Sequence, residues 1–323
     1  MQNKLIRGPL LLVLAALFLA AAGCGTARNI YQKVTPGKGS DLNKRVLIMP
    51  VVDQQGLGRE AVEELTAGLA AGLEQDRNLA VYRSEEPLPR TYSAQSPKFG
   101  IIIDPDLAQK AEEMGVNVLV TCVLNRYEII DHGAGVWPVN KLPVWPLKPK
   151  PLELEVSIVV NALDISNGTL FLTHLESRRL RIPEDPEDED ALFVKEREAR
   201  SEEELIQAVP ERERQEALEK LVEEQAKVIS KSLGKTVWSG RVLSAAPERI
   251  MINAGSDVGL SEGSVFEVFS RGDPIPSIGG RSVFVLGPKV GEIRIVKVMD
   301  KYSTAVPVSG DGFKAGQVIR ERP

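Results

Sequence analysis

The chain has 323 residues and a mass of 35.3 kDa, with 43% hydrophobic and 26% charged residues, which is enough for two folded units. Its 40 basic and 45 acidic residues give a formal charge of -5, which excludes a basic nucleic-acid surface across whole domains. Two cysteines and two histidines exclude a disulfide framework and a zinc site built from four Cys or His ligands.

The N-terminus has a charged segment followed by an apolar one. Residues 1–9 contain Lys4 and Arg7 but no acid, and residues 10–22 are all Leu, Val, Phe or Ala. As a helix the apolar run would span about 20 Å, less than the roughly 30 Å of a bilayer's hydrocarbon core. This favours a cleaved signal peptide over a permanent membrane span, and we predict that it covers residues 1–23.

The segment ends in Leu19-Ala-Ala-Ala-Gly-Cys24, which resembles the lipobox of bacterial lipoproteins. The resemblance implies cleavage before Cys24, which becomes a diacylglyceryl cysteine that also carries a further acyl chain such as palmitate. Gly25 stands where inner-membrane retention signals usually have Asp, which implies an outer-membrane anchor with the protein facing the periplasm. A secreted protein with an unmodified cysteine is the alternative.

The mature chain is predicted to begin with a tether and an α/β domain. Residues 24–44 are polar and small without periodicity, typical of a flexible tether with a root-mean-square span of roughly 25 Å. Continuous apolar runs predict buried strands, and apolar residues at helical spacing predict helices that cover them. The elements predicted for the domain at 45–234 are strands at 46–52, 79–82 and 117–124, helices at 60–75, 105–114 and 211–233, and a hairpin of 152–163 with 169–177 around Asn167-Gly168.

Two segments interrupt this domain. The loop at 126–151 contains five prolines and two tryptophans but no acid after Asp131, and we predict Trp137 and Trp145 as partner-binding residues. Packing of this loop on its own domain and contact with a membrane are the alternatives. The arm at 178–210 holds six acids in the seven residues Glu184–Asp190 and is predicted to be solvated.

Helical periodicity disappears after residue 234. Short strands are predicted at 236–243, 249–253, 264–270, 281–286, 290–298 and 303–308, separated by turns rich in glycine. Residues 235–323 therefore predict a small all-β domain, a barrel or a sandwich. The predicted fold class is an α+β domain followed by this barrel-like β-domain.

Motifs that could carry catalysis lack their required context. Gly259-Leu-Ser261-Glu-Gly263 matches the Gly-x-Ser-x-Gly pattern of a hydrolase elbow, but a strand follows it where that motif needs a helix. The triad of that fold needs a histidine after the serine, and the last histidine is His174. Cys122 lies in an apolar run typical of a buried, inert thiol. We predict no enzymatic activity, no catalytic residue, no cofactor and no metal site.

The order of elements, with Arg45-Val-Leu-Ile-Met-Pro-Val-Val52 and Asn161-Ala-Leu-Asp-Ile-Ser-Asn-Gly168, resembles the periplasmic domains of CsgG, TolB (N-terminal), FlgT (middle) and LpoB. The segments 240–243, 250–268 and 291–298 resemble the C-terminal domain of FlgT. These resemblances imply a non-enzymatic, lipid-anchored scaffold of an envelope machine such as a flagellar ring, with envelope proteins as partners and a homo-oligomer among the options.

An LpoB-like activator of a peptidoglycan synthase and a CsgG-like secretion component are the alternative functions. The secretion channel needs two amphipathic membrane hairpins in this domain. The proline-rich loop and the acidic arm occupy those positions, which disfavours a pore.

Overall fold

The computed structural model describes residues 42–85, 105–131, 152–183, 201–276 and 282–321. Cys24, Trp137, Trp145 and the acidic run Glu184–Asp190 lie outside the described residues, so their predicted roles stay predictions. The described chain forms two units, a mixed sheet with helices and a closed barrel of six strands. The predicted α+β class and the predicted small barrel are confirmed at this level.

The mixed sheet has six strands, five of them in the order β3-β1-β4-β5-β6. Parallel pairing joins β1 to β3 and to β4, the short β2 pairs with β4, and β4, β5 and β6 are antiparallel. The elements of this unit are β1 (Lys44–Ile48), β2 (Val52–Asp53), α1 (Arg59–Glu74), β3 (Leu79–Arg83), α2 (Pro105–Glu113), β4 (Val118–Ile130), β5 (Glu153–Asp164), β6 (Thr169–Arg181), α3 (Glu202–Ala208) and α4 (Glu211–Leu233).

The main core lies between one face of this sheet and the helices α1 and α4. Alternate residues of β5, from Leu154 to Ala162, point to this face and are buried there. Gly72 of α1 faces Ala226 of α4, and a methyl group on Gly72 would lie 2.7 Å from the Ala226 Cβ. The two helices therefore cross closely because Gly72 has no side chain.

The barrel follows α4 and closes in the order β10-β11-β8-β7-β12-β9. Trp238 and Phe266 fill its interior, with ring centroids 5.7 Å apart. Leu42, which directly precedes β1, is buried in the same core. The segment before the first strand of the sheet therefore packs against the barrel, although the barrel is formed by the C-terminal part of the chain. The strands are β7 (Ser239–Ala246), β8 (Arg249–Ile252), β9 (Val265–Pro276), β10 (Ser282–Val298), β11 (Ser303–Gly310) and β12 (Val318–Glu321).

Three boundaries predicted for the first unit are wrong. The tether prediction extends too far, because Leu42 is buried and β1 already begins at Lys44. The loop prediction for 126–151 starts too early, since a bulge beside Asn125 lets β4 continue to Ile130. The arm prediction for 178–210 includes the end of β6 and all of α3, whose first turn is closed by a capping box between Ser201 and Glu204.

Two strand predictions in the barrel also differ from the structure. The predicted strands 281–286 and 290–298 form one strand, β10, which passes Gly287-Pro288 through shifts in its pairing with β9. The strand β12 was not predicted, because only Val318 and Ile319 are apolar in a segment too short to show a period. Without β12 the barrel would not close, since this strand joins β7 to β9.

No helix among the described residues is long and apolar enough to cross a membrane.

Candidate functional site

Two buried arginines of the described chain, Arg45 and Arg241, lie where the sheet unit meets the barrel. Charged side chains are buried only when other groups pair with them, so such a cluster identifies a site under strong structural constraint. We call this cluster the joint. It consists of Arg45, Glu112, Gly115 and Asn117 from the sheet side and Arg241, Asn253, Asp257 and Arg271 from the barrel side.

Arg45 of β1 is the centre of the joint, with its side chain only 3% exposed. Its guanidinium forms a bidentate ion pair with Asp257, in which Nε and Nη2 each donate a hydrogen bond to one carboxylate oxygen at 2.7 Å. The remaining N–H groups donate to carbonyl oxygens, at 2.5 Å to Asn253 and 3.0 Å to Lys301, with a longer contact of 3.4 Å to Met114. Arg45 therefore ties β1 to three separate segments of the rest of the chain.

Asp257 is held in its ionised form by this environment. Burial alone would raise its pKa, but the hydrogen bonds and positive charge of Arg45 and the hydroxyl of Tyr82, at 3.2 Å, lower the pKa below its usual value. Tyr82 lies on β3, and burial together with the Asp257 carboxylate raises the pKa of its phenol. The Tyr82 hydroxyl thus stays protonated and donates to Asp257.

A second ion-pair group lies beside the first. Glu112, near the C-terminal end of α2, has one carboxylate oxygen 3.0 Å from Nε of Arg241 and 3.2 Å from Nη1 of Arg271. Arg241 also donates to the carbonyl oxygens of Gly316 and Ser166, and burial lowers its pKa to about 10 despite the nearby Glu112. One carboxylate thus connects two barrel strands to a helix of the sheet unit.

Hydrogen bonds of two asparagine side chains also connect the sheet unit to the barrel, beside these charged groups. The Asn117 side-chain oxygen accepts from the backbone N–H of Arg45 at 2.9 Å, and its amide donates to the carbonyl of Ser239. Asn253 accepts from the backbone of Arg241 at 2.6 Å and donates to the carbonyl of Glu112 at 3.3 Å. These two asparagines satisfy backbone groups that the contact would otherwise bury without partners.

The joint also depends on the absence of a side chain at Gly115. This residue ends α2 in the left-handed conformation, with φ +74°. A methyl group there would overlap the Arg45 guanidinium and lie 2.7 Å from the carbonyl oxygen of Asn253. The close approach of α2 to the barrel therefore requires glycine at this position.

The geometry of the joint suits alignment of the two units. Arg45, Asp257, Glu112 and Arg241 are all engaged with one another or with backbone carbonyls. No group of three metal-ligating side chains is found among the residues that the structure describes. The joint fixes the orientation of the barrel against the sheet.

Three other residues considered as candidates, Cys122, His174 and Ser261, lie apart from the joint. Cys122 is buried on β4 as predicted, and this burial raises the pKa of its thiol to about 12, which keeps the thiol protonated. His174 lies on β6, with Nδ1 3.0 Å from the Gln225 side-chain oxygen. Ser261 lies in the loop that leads into β9, where the strand-to-helix turn of a hydrolase elbow is not formed. Cys24, Trp137, Trp145 and His132 lie outside the described residues.

Sequence reasoning missed the joint. Arg45 pairs with Asp257, 212 positions away, and no local pattern links the two. The only available signal was a charged residue directly before an apolar strand, which is equally typical of a solvated strand end.

Comparison with known proteins identifies no family. No protein family and no curated protein matches this chain. Solved structures match at low similarity. The hypothetical protein CT253 from Chlamydia trachomatis is 12% identical, with a TM-score of 0.34 over 58% of this chain and 99% of that chain. The PelC dodecamer from Paraburkholderia phytofirmans is 10% identical, with a TM-score of 0.32 over 63% and 95%. TolB from Acinetobacter baumannii is 10% identical, with a TM-score of 0.27 over 83% and 59%. These scores transfer no function to this chain.

Proposed function

We propose that this protein is a non-enzymatic scaffold, held in the outer membrane by an acylated Cys24 and facing the periplasm, that positions other proteins of a cell-envelope assembly. The observation that carries the proposal is the joint, in which the buried Arg45 and Arg241 and their ion-pair partners connect the two units. A protein that displays two surfaces at a fixed angle needs such a rigid connection, whereas independent binding modules do not.

The N-terminal pattern supports the anchor in this proposal. The charged segment, the apolar run and the small residues before Cys24 agree with a lipoprotein signal. Acyl chains contribute about 0.8 kcal/mol for each buried methylene, and stable attachment requires more than one chain. Diacylglyceryl modification together with a further acyl chain on Cys24 would meet that requirement.

The anchor is tested by Cys24→Ser in the native host. We expect the unsubstituted chain in the carbonate-washed membrane fraction, labelled by radioactive palmitate, because its acyl chains are buried in the bilayer. The variant should lose the label and leave the washed membrane pellet, since no thiol remains to be acylated.

A matched control is Gly25→Asp, which keeps the acylated cysteine. The variant should keep the palmitate label and move to the inner membrane, because Asp is the residue that inner-membrane lipoproteins carry after their cysteine. Unchanged membrane association and labelling of the Cys24→Ser variant would refute the anchor.

The partner-binding part of the proposal rests on Trp137 and Trp145. We expect Trp137→Ala/Trp145→Ala to lose at least tenfold in the recovery of envelope proteins co-purified after in vivo cross-linking, because aromatic residues carry much of the energy of protein interfaces. Val237→Ser is the control, since it removes an apolar side chain that is 42% exposed and lies just before β7. Equal recovery with the unsubstituted chain, the double tryptophan variant and the control would show that the two tryptophans do not bind a partner.

The identity of the co-purified proteins selects among the finer functions. Flagellar ring components would support a flagellar scaffold. A peptidoglycan synthase would support the LpoB-like activator, and secretion subunits would support the CsgG-like component.

A further inference from the structure

The second half of β6 lies at an edge of the mixed sheet. Its pairing with β5 is regular from Leu172 onward, beyond a bulge at Phe171. No other described strand pairs with it, and no described segment makes a backbone hydrogen bond to residues 176–180 on the side away from β5. Arg181, at the end of the strand, makes an interaction of its own, so the open stretch is 176–180. Such an edge presents N–H and C=O groups with which another extended chain can pair.

A groove of about 510 Å³ runs along this stretch of the strand. The five consecutive residues 176–180 of β6 line one side of it. Because successive side chains of a strand point to opposite faces, all five can line one groove only if it follows the edge of the strand. The other side is lined by one stripe of α4, whose members are spaced as neighbours on a helix surface: Glu213, Glu216, Ala217, Lys220 and Glu224.

The shape of this groove suits an extended peptide. A peptide binds an open strand edge by strand addition, in which main-chain hydrogen bonds provide affinity and the neighbouring surface selects side chains. Here α4 supplies that neighbouring surface. The volume of the groove is within the range of ligand pockets, about 300–1,000 Å³. Its walls are charged apart from Ser177, Leu180 and Ala217, so the groove fits a polar peptide and not an apolar one.

The charges of the groove indicate the sign of its occupant. Glu213, in the exposed first turn of α4, forms no ion pair with a described residue. The Glu176 carboxylate lies 3.9 Å from the imidazole of His174 and makes no closer ion pair with a described residue. Lys220 is the one base of the groove outside an ion pair, so two carboxylates remain against one ammonium group. The other charges are paired: Arg178 with Glu224 at 2.6 Å, Arg179 with Glu155 at 3.8 Å and Glu216 with Arg212 at 2.8 Å.

We propose that this groove binds an extended segment of another protein that carries lysine or arginine, and that the segment pairs with residues 176–180 of β6 as an added strand. Its basic side chains would meet the carboxylates of Glu176 and Glu213, where charge complementarity favours them over acidic ones. The proposal names a contact surface beyond the proposed function and does not depend on the acyl anchor. It is therefore tested on the Cys24→Ser chain, and its failure would leave the anchor untouched.

The probe is a fluorescein-labelled peptide with blocked ends, Thr-Lys-Thr-Val-Thr-Lys-Thr. Its composition favours a strand, in which both lysines lie on one face. We expect saturable binding, measured by fluorescence anisotropy, with a dissociation constant below about 100 μM. Replacing both lysines of the peptide with glutamate should weaken binding at least tenfold, because the charge is reversed. Methylating the nitrogens of its central amides should do the same, because the hydrogen-bond donors of the added strand are removed.

Two charge reversals on α4 form a matched pair. Glu213→Lys should raise the dissociation constant of the lysine peptide at least tenfold, because like charges then meet in the groove. Glu219 is exposed on the same helix but does not line the groove. Glu219→Lys should therefore change the dissociation constant by less than about twofold, since exposed charges outside the groove are screened by salt. Amide hydrogen exchange reports strand addition, because the peptide should slow exchange at alternate residues of 176–180.

Several results would overturn the proposal. The lysine peptide could fail to bind at millimolar concentration, or both charge reversals could weaken its binding equally. The glutamate or methylated peptide could bind as well as the lysine peptide, or binding could leave the amides of 176–180 unprotected. A chain that is already dimeric at micromolar concentration, with these amides protected before the peptide is added, would assign the groove to a second copy of this chain instead.

Discussion

Replacing Arg45 with alanine is expected to lower the free energy of unfolding by about 3–5 kcal/mol, because removal of one partner of a buried ion pair leaves the other charge without compensation. The variant leaves the Asp257 carboxylate with only the Tyr82 hydroxyl among its side-chain partners, and it removes the donors for the carbonyls of Asn253 and Lys301.

The measurement is urea unfolding in a Trp137→Phe/Trp145→Phe background, followed both by the fluorescence of Trp238, which is buried in the barrel, and by far-ultraviolet circular dichroism. If the joint couples the two units, the signals coincide in the unsubstituted chain and separate in the variant. Arg59→Ala is the control, because its pair with Glu63 involves an arginine side chain that is 90% exposed, and such pairs contribute about 0.5 kcal/mol. A loss below about 1 kcal/mol for Arg45→Ala would contradict the role assigned to the joint.

The second large effect is expected from Gly115→Ala. The left-handed backbone alone costs a residue with a Cβ about 1–2 kcal/mol. The added methyl group would also displace the Arg45 guanidinium and press on the Asn253 carbonyl, so the total loss should exceed the cost of the backbone by about 2 kcal/mol. The same urea titration measures the total loss in the free energy of unfolding.

Gly259→Ala separates the two contributions. Gly259 has φ +79°, close to the +74° of Gly115, but a methyl group there would meet nothing within 4 Å. Gly259→Ala should therefore show only the backbone cost. If both alanine variants lose the same free energy of unfolding, the close packing of α2 against the barrel contributes nothing to stability. The contact at Gly115 would then be looser than the distances indicate.

The predictability of the fold from sequence depended on the range of the interaction behind each element. The helix at 211–233 and the hairpin around Asn167-Gly168 were predicted within a few residues, because helical periodicity and the turn residues are local signals. The end of β6 was missed, because Arg178, Arg179 and Arg181 look like a solvated segment. On this edge strand Arg179 and Arg181 are exposed, and Arg178 forms an ion pair with Glu224 of α4.

The joint could not be predicted for the same reason. Its central pair joins the start of β1 to a turn after β8, and only the closure of the barrel brings Asp257 to Arg45. The short β12, which closes that barrel, is itself held by long-range pairing to β7 and β9. Sequence patterns report the face that a residue presents, whereas a single polar pair between distant segments leaves no periodic signal.

The path of the chain from Leu42 into β1 has a mechanical consequence. Leu42 is buried in the barrel, Asn43 donates its backbone N–H to Val258 at 2.9 Å, and the chain then becomes β1, which lies between two parallel neighbours. A pull on the N-terminus along the axis of β1 would load its hydrogen bonds to both neighbours in shear, all at once, instead of peeling them open in sequence. The end of the molecule that we propose to be anchored in the membrane is thus arranged to resist tension.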